Sequence, residues 1–197
     1  MTTSTTDFNE MPKRFGANED SFVIAAMYQF LPLEDINTLR EQLQQLCIKN
    51  QIFGTILIAS EGINGTISAP KDRMERFLDW LKFDGRFDNV ALKFSFSPKQ
   101  PFLRMKVRLK KEIVTMGCPN IDPAKRTGTY IDPTDWNDLI SDPDVFLVDT
   151  RNTYETAIGM FKGAIDPKTK NFREFPKWAH SLANKPDDQR PKKIAMY

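Results

Sequence analysis

Strand-type and helix-type apolar patterns alternate in a fixed order along the first hundred residues, and that order leaves few ways to fold. Phe22–Phe30 (FVIAAMYQF) is a short apolar run rich in β-formers, the signature of a buried strand. Pro32 then opens a helical pattern in which Leu33, Ile36, Leu39, Leu43 and Leu46 recur at spacings of three and four. Glu34 and Asp35 are expected in its first turn, where the helix dipole favours anions, and the helix is expected to end near Asn50. Ile52–Ala59 is a second buried-type strand. Ser60–Gly65 (SEGING) reads as a turn into a third, short strand over Thr66–Ser68. Its glycines hint at a phosphate loop, but the lysine of a P-loop is absent, so the turn reading is preferred. Pro70 marks a second helix with Met74, Phe77, Leu78 and Leu81 on one stripe; Gly85 stops it, and Ala91–Ser97 returns as a strand. Strand, helix, strand, strand, helix, strand is the split βαβ order of a ferredoxin-like α+β domain, an antiparallel sheet with both helices on one face.

After Pro98 and Pro101 the period changes to two. Leu103, Met105, Val107 and Leu109 alternate with Arg104, Lys106, Arg108 and Lys110, so an added strand carries one apolar face and one cationic face. Two readings of Arg104, Lys106, Arg108, Lys110 and the adjoining Lys111 stay open: charges that keep an edge strand from pairing, or contacts to the phosphates of a nucleic acid. Phe94 and Phe96 alternate with Lys93, Ser95 and Ser97; core packing is the commoner role for such residues, base stacking the rarer one.

Overall charge is uninformative, with 28 Lys+Arg against 26 Asp+Glu, but its distribution is not. Ala91–Tyr130 carries a local +7, whereas Ile131–Thr150 has six aspartates and no lysine or arginine. So abrupt a reversal points to two units with different surfaces. The expected organisation is a flexible tail over 1–20, a ferredoxin-like domain with its extra basic strand over 21–117, a linker over 118–128, and a new unit over 129–197. In that unit Asp132-Pro133 resembles a helix start, Val145–Val148 a central strand ending at Asp149, and Asn152 with Glu155 a capping pair. Phe175, Trp178, Ala179 and Leu182 share a helical face, and Lys193–Tyr197 enters a last strand. A strand ending in an acid opens an α/β sheet, whose sites lie at the carboxyl ends of strands. About 70 residues with two parallel strands are too few for a sheet buried on both faces, so the natural protein is expected to continue.

Several chemistries are disfavoured. Cys47 and Cys118 are far apart, with no CxxC and no neighbouring histidine, which argues against a disulfide framework or a zinc site and for a reducing compartment. Cys47 is expected in the core, Cys118 is a weak candidate for a reactive thiol, and the single histidine, His180, is given no role. No apolar run of about 18 residues and no secretory leader is evident, so a cytoplasmic location is expected. No metal or organic cofactor is signalled.

The second half carries a specific resemblance. Leu147-Val148-Asp149-Thr150-Arg151-Asn152-Thr153-Tyr154-Glu155, followed by Ile158-Gly159-Met160-Phe161-Lys162-Gly163-Ala164-Ile165, resembles the rhodanese pattern VD-x-R-x-x-x-E…GHI-x-GA, with Met160 for its histidine and Phe161 for its isoleucine. Taken with Ile58–Thr66, the basic stretch Met105–Met116 and Gly128-Thr129-Tyr130-Ile131, the chain resembles the rhodanese-domain tRNA uridine 5-hydroxylases of the TrhO type over residues 21–197. The resemblance implies an α/β rhodanese-like second domain, present here in its N-terminal part. It implies tRNA as partner, oxygen-dependent 5-hydroxylation of the wobble uridine, and molecular oxygen as co-substrate. It also implies a catalytic cysteine in a loop directly after Tyr197, so that the chain as given would be inactive. Such a loop stabilises a thiolate through backbone N–H groups and a helix N-terminus. Asp149 and Arg151 would then support that loop, with capping and a surface pair as the plainer role. A rhodanese-type sulfurtransferase and a non-catalytic RNA-binding protein are the alternative readings.

Overall fold

The structure, a computed structural model, describes residues 21–118 and 128–197. The expected tail (1–20) and nearly all of the expected linker, including Lys125 and Arg126, lie outside the described residues. The chain divides at Val114–Thr115 into two units.

The first unit is α+β. Its elements are β1 (Phe22–Phe30), α1 (Ile36–Lys49), β2 (Phe53–Ala59), β3 (Gly62–Pro70), α2 (Lys71–Phe83), β4 (Ala91–Ser97) and β5 (Met105–Leu109). The strands form one sheet in the order β4-β1-β3-β2-β5. β3 lies between β1 and β2 and is antiparallel to both, β4 is antiparallel to β1, and β5 runs parallel to β2, making the sheet mixed. The helical stripes read from the sequence are the ones buried. α1 buries Leu39, Leu43 and Cys47, and α2 buries Met74, Phe77, Leu78 and Leu81. They meet Val23, Ala25, Met27, Ile56 and Ile67 from the strands, so one face of the sheet forms the core with the helices. Burial pushes the Cys47 thiol up to about 12, which suits a core residue and not a reactive one.

Three expectations need correction in this unit. The first helix starts at Ile36, not Pro32, which leaves Glu34 and Asp35 ahead of its first turn. Its approach is tied down elsewhere: the Leu31 and Leu33 amides donate to the Glu61 and Ser60 carbonyls, holding this stretch out of helical conformation. The third strand runs over Gly62–Pro70, so only Ser60-Glu61 is left as a turn. Gly62 and Gly65 belong to that strand because backbones pass close to them. A Cβ on Gly62, whose φ is +150°, would stand 2.1 Å from the Gln29 carbonyl oxygen. The basic strand is shorter than its pattern: β2 offers partners only for Met105–Leu109, and Leu103 beyond them is 96% exposed. Phe94 and Phe96 pack against the core, the commoner of the two roles expected of them.

The second unit contains α3 (Trp136–Ser141), β6 (Val145–Val148), α4 (Thr153–Thr156), α5 (Phe175–Ala183) and β7 (Lys193–Met196). β6 and β7 pair in parallel, with Val145 opposite Lys193 and Val148 opposite Met196. Val148 also bridges to Ile165. Asn152 and Glu155 form the expected capping box, the Asn152 amide donating to Glu155 Oε2 at 3.1 Å. Asp132 instead caps a turn: its Oδ1 accepts from the amide and hydroxyl of Thr134, and α3 begins only after Asp135. Pro176 lies in the first turn of α5, where its missing N–H costs no hydrogen bond. His180 is exposed on that helix, and Cys118 is a half-buried free thiol in the first described stretch.

Candidate functional site

Two groups of residues carry chemistry. The first forms at the carboxyl end of β6, where the chain leaves the strand at Asp149. The Asp149 amide donates to the Ile165 carbonyl at 3.0 Å, fixing the residue at the sheet end with its side chain buried. Its Oδ1 accepts from the Arg151 amide and from Arg151 Nε, both at 3.0 Å, and its Oδ2 accepts from Arg151 Nη2 at 2.6 Å. This two-pronged pair matches the planar fork of a guanidinium to a carboxylate. Nη2 also donates to the Gly159 carbonyl at 2.7 Å, so Arg151 ties β6 to the segment that returns toward Ile165.

The same guanidinium lies over the ring of Tyr197, 5.4 Å from its centroid. Tyr197 is held from every side. Its carbonyl accepts from the Thr150 amide at 3.0 Å and the Thr150 hydroxyl at 2.6 Å, and its own amide donates to Val148. Its hydroxyl accepts from the Phe161 amide at 3.1 Å. Its ring meets Phe161 edge-on at 4.9 Å and Trp136 at 6.2 Å. The arrangement fixes both the position and the direction in which the chain arrives at Tyr197.

The pairing is visible in the acidity of its members. The hydrogen bond from Arg151, together with one from Tyr197, holds the Asp149 carboxyl down at about 2. Arg151 is raised, chiefly by the same bond, and Tyr197 is raised by burial and by Asp149. A carboxyl whose pKa is lowered by folding stabilises the fold above its unfolded value of 3.8, and that stabilisation is lost as pH falls through about 2. Between pH 4 and pH 2 the unfolding free energy of the protein is therefore expected to fall more steeply than that of an Asp149→Asn variant. Denaturant titrations across that window test this, and parallel slopes would show that the pair contributes nothing.

The sequence singled out Asp149 and Arg151, and the structure brings them together. Tyr197, Trp136 and Phe161 were missed as partners because they meet only through the β6–β7 pairing. The available signal was an aromatic residue ending the last strand.

The second group is the basic strand. β5 is an edge strand, and α1 guards that edge through Arg40 Nε, which donates to the Val107 carbonyl at 3.4 Å. Strand side chains alternate between faces, so Val107, opposite Ile56, faces the helices, while Lys106 and Arg108 project from the opposite face. They stand about 6.6 Å apart at the usual rise of a strand. Arg104 precedes β5, with its carbonyl accepting from Gly54; Lys110 and Lys111 follow it and are exposed. Among the described residues none of these five cations forms an ion pair. The charges of Arg104 and Arg108 lower the Lys106 pKa, Arg104 contributing most. Crowded like charges without a counter-charge make a surface suited to anions.

Among the described residues no cluster of histidine, cysteine, aspartate or glutamate could hold a metal ion, and no helix is long and apolar enough to cross a membrane.

Comparison with known proteins gives the arrangement a context. Residues 22–113 match the UPF0176 acylphosphatase-like domain. The protein named tRNA uridine(34) hydroxylase from Agrobacterium fabrum (strain C58) is 54% identical over 176 residues, covering 89% of this chain and 55% of that protein. Its namesakes from Sinorhizobium medicae and Rhizobium leguminosarum bv. trifolii are each 52% identical over 179 residues, again 89% of this chain, with 55% and 56% of the relative covered. Among solved structures, the dark-state BLUF protein BlrB aligns at 16% identity with a TM-score of 0.43, over 54% of this chain and 86% of that one. The chain thus spans about half the length of the curated relatives it matches. The similarity to the proteins named tRNA uridine(34) hydroxylase extends through both units of the chain.

Proposed function

We propose that this chain is the N-terminal part of a tRNA-modifying oxidoreductase that hydroxylates C5 of the wobble uridine, with molecular oxygen as co-substrate. The observation that carries this reading is the identity of more than half the residues, over 89% of the chain, to proteins of that name. The first unit would be a ferredoxin-like domain over 21–117 with an added basic strand, and residues 129–197, after a linker over 118–128, the start of a rhodanese-like domain. The catalytic cysteine would lie in the loop after Tyr197.

Each group of residues has a task under this reading. Arg104, Lys106, Arg108, Lys110 and Lys111 bind phosphates of the tRNA and position the substrate. Asp149 and Arg151 position Tyr197, and through it the strand end from which the cysteine loop departs. They are positioning residues, acting through Tyr197. A fixed departure point matters because a thiolate carried on a loop reacts only when it is placed within a fraction of an ångström of its target.

The test uses the full-length protein, incubated in air with tRNA from cells lacking the enzyme, and mass spectrometry of the nucleosides. The expected result is one oxygen gained by the uridine at the wobble position, lost when oxygen is excluded. The 197-residue chain alone is expected to leave the tRNA unchanged. Sulfur transfer from thiosulfate to cyanide without any gain of oxygen would overturn the reading in favour of a sulfurtransferase.

A further inference from the structure

The sheet of the first unit has a second face, away from α1 and α2, and the strand registers define what stands on it. One row crosses all five strands: Lys93 on β4, Ala26 on β1, Thr66 on β3, Thr55 on β2 and Lys106 on β5. The next row runs Ala91, Tyr28, Asn64, Leu57 and Arg108. Each row spans about 19 Å at the usual strand separation. The first has a cation at both ends and hydroxyls or a methyl between them.

Tyr28 stands on β1, beside the edge strand β4, and is 39% exposed. The reason lies in its neighbours. Across the sheet it faces Ala91 and Asn64, and Ala26 and Thr66 occupy the row beneath, so its described cross-strand neighbours are small. Its orientation is set by an edge-to-face contact with Phe30, the ring centroids 5.1 Å apart. At the second row the segment after β5 crosses onto this face, bonded to Glu61 and to Asn64 beside Tyr28. The Ile113 amide donates to Glu61 Oε1 at 2.6 Å, and Asn64 Nδ2 donates to the Ile113 carbonyl at 3.2 Å. Glu61, the carboxylate near Tyr28, is thereby engaged, and among the described residues Lys93, Lys106 and Arg108 form no ion pair.

We propose that this open face is a platform for a single-stranded segment of RNA, with Tyr28 stacking on one base while Lys93, Lys106 and Arg108 hold the flanking phosphates. The proposal rests on the tRNA reading above and specifies where and in what form the nucleic acid is bound. A fixed aromatic ring with small neighbours accepts the flat face of any base, and cations on either side complement the backbone. Single strands are favoured over duplexes because only an unstacked base can reach the ring. The crowding of positive charge around Lys106 agrees with an anionic occupant.

The test measures binding of a short fluorescent oligouridine, and of an RNA duplex of equal charge, to the full-length protein. The single strand is expected to bind more tightly. Tyr28→Ala is expected to weaken its binding about 5- to 150-fold without changing the salt dependence, and Tyr28→Trp to restore it. Lys93→Ala and Lys106→Ala are each expected to lower the slope of log affinity against log salt by about 0.7. Thermal unfolding of each variant shows that it folds. Unchanged binding by Tyr28→Ala, with binding still lost on removing the β5 cations, would overturn the platform and leave the tRNA reading standing. No binding of either RNA, or of tRNA, would overturn both. Failure of Tyr28 to be nitrated by tetranitromethane in the free protein would also overturn the platform, by showing the face covered by another part of the protein.

Discussion

Phe77→Ala should lower the unfolding free energy of the first unit by about 3–5 kcal/mol, a large part of what a domain of this size has to lose. Phe77 is completely buried on α2, between Met74, Leu78 and Leu81 and against the apolar face of the sheet. Truncation removes the transfer free energy of the ring and leaves a cavity that close-packed neighbours cannot fill. The same helix supplies its own control. Phe83 lies off the stripe at the end of α2 and is 92% exposed, so Phe83→Ala should change stability by no more than about 0.5 kcal/mol. Urea titrations of the two variants decide the matter. Equal losses would mean that the 74, 77, 78, 81 stripe is not what joins α2 to the sheet. An unchanged denaturant slope for Phe77→Ala would locate the effect in the native core.

That control shows why so much of this unit was legible in advance. Both helices declare themselves through positions three and four apart, and those positions are the buried ones. Period-two alternation likewise predicted the two faces of β5, with Val107 inside and Lys106 and Arg108 outside. The errors share one cause: each depends on a partner distant in sequence. Residues 31–35 carry helical residues, but the Leu31 and Leu33 amides are tied to the Glu61 and Ser60 carbonyls and Asp35 is left-handed. Glycines 62 and 65 resemble a turn until β1 and β2 are set beside them, and then they are the residues that permit close backbones. Leu103 continues the alternation but has no strand to pair with.

The candidate sites divide in the same way. Asp149 and Arg151 are two positions apart and could be paired from sequence spacing. Tyr197 meets them only because β7 docks beside β6, which local pattern does not reveal. Likewise, the cations of β5 are plain in the sequence, whereas their company is not. That Lys93 and Tyr28 share a face with Lys106 follows only from the strand order β4-β1-β3-β2-β5.

Binding of tRNA to the full-length protein should be strongly salt-dependent, and the basic strand should account for a defined part of that dependence. Each phosphate neutralised by a lysine or arginine contributes about 0.7 to the slope of log affinity against log salt on single strands and about 0.9 on duplexes. Four contacts, from Arg104, Lys106, Arg108 and Lys110, amount to a slope of about 3. Raising salt from about 50 to about 200 mM should then weaken their contribution some 50- to 150-fold. Replacing all four by alanine should remove that much of the slope, so that the affinities of the two proteins converge as salt rises. Net charge alone would also weaken binding, and the control must remove the same charge elsewhere. Lys49, Lys71, Arg73 and Arg76 lie on α1 and α2, on the helix side of the same sheet. If the cations of β5 touch phosphate, the helix-side variant loses little slope while the β5 variant loses about 3. Equal losses in the two variants would return Arg104, Lys106, Arg108 and Lys110 to the role of a solvated edge, and Arg40, already bonded to the Val107 carbonyl, would be only one of several charges protecting it.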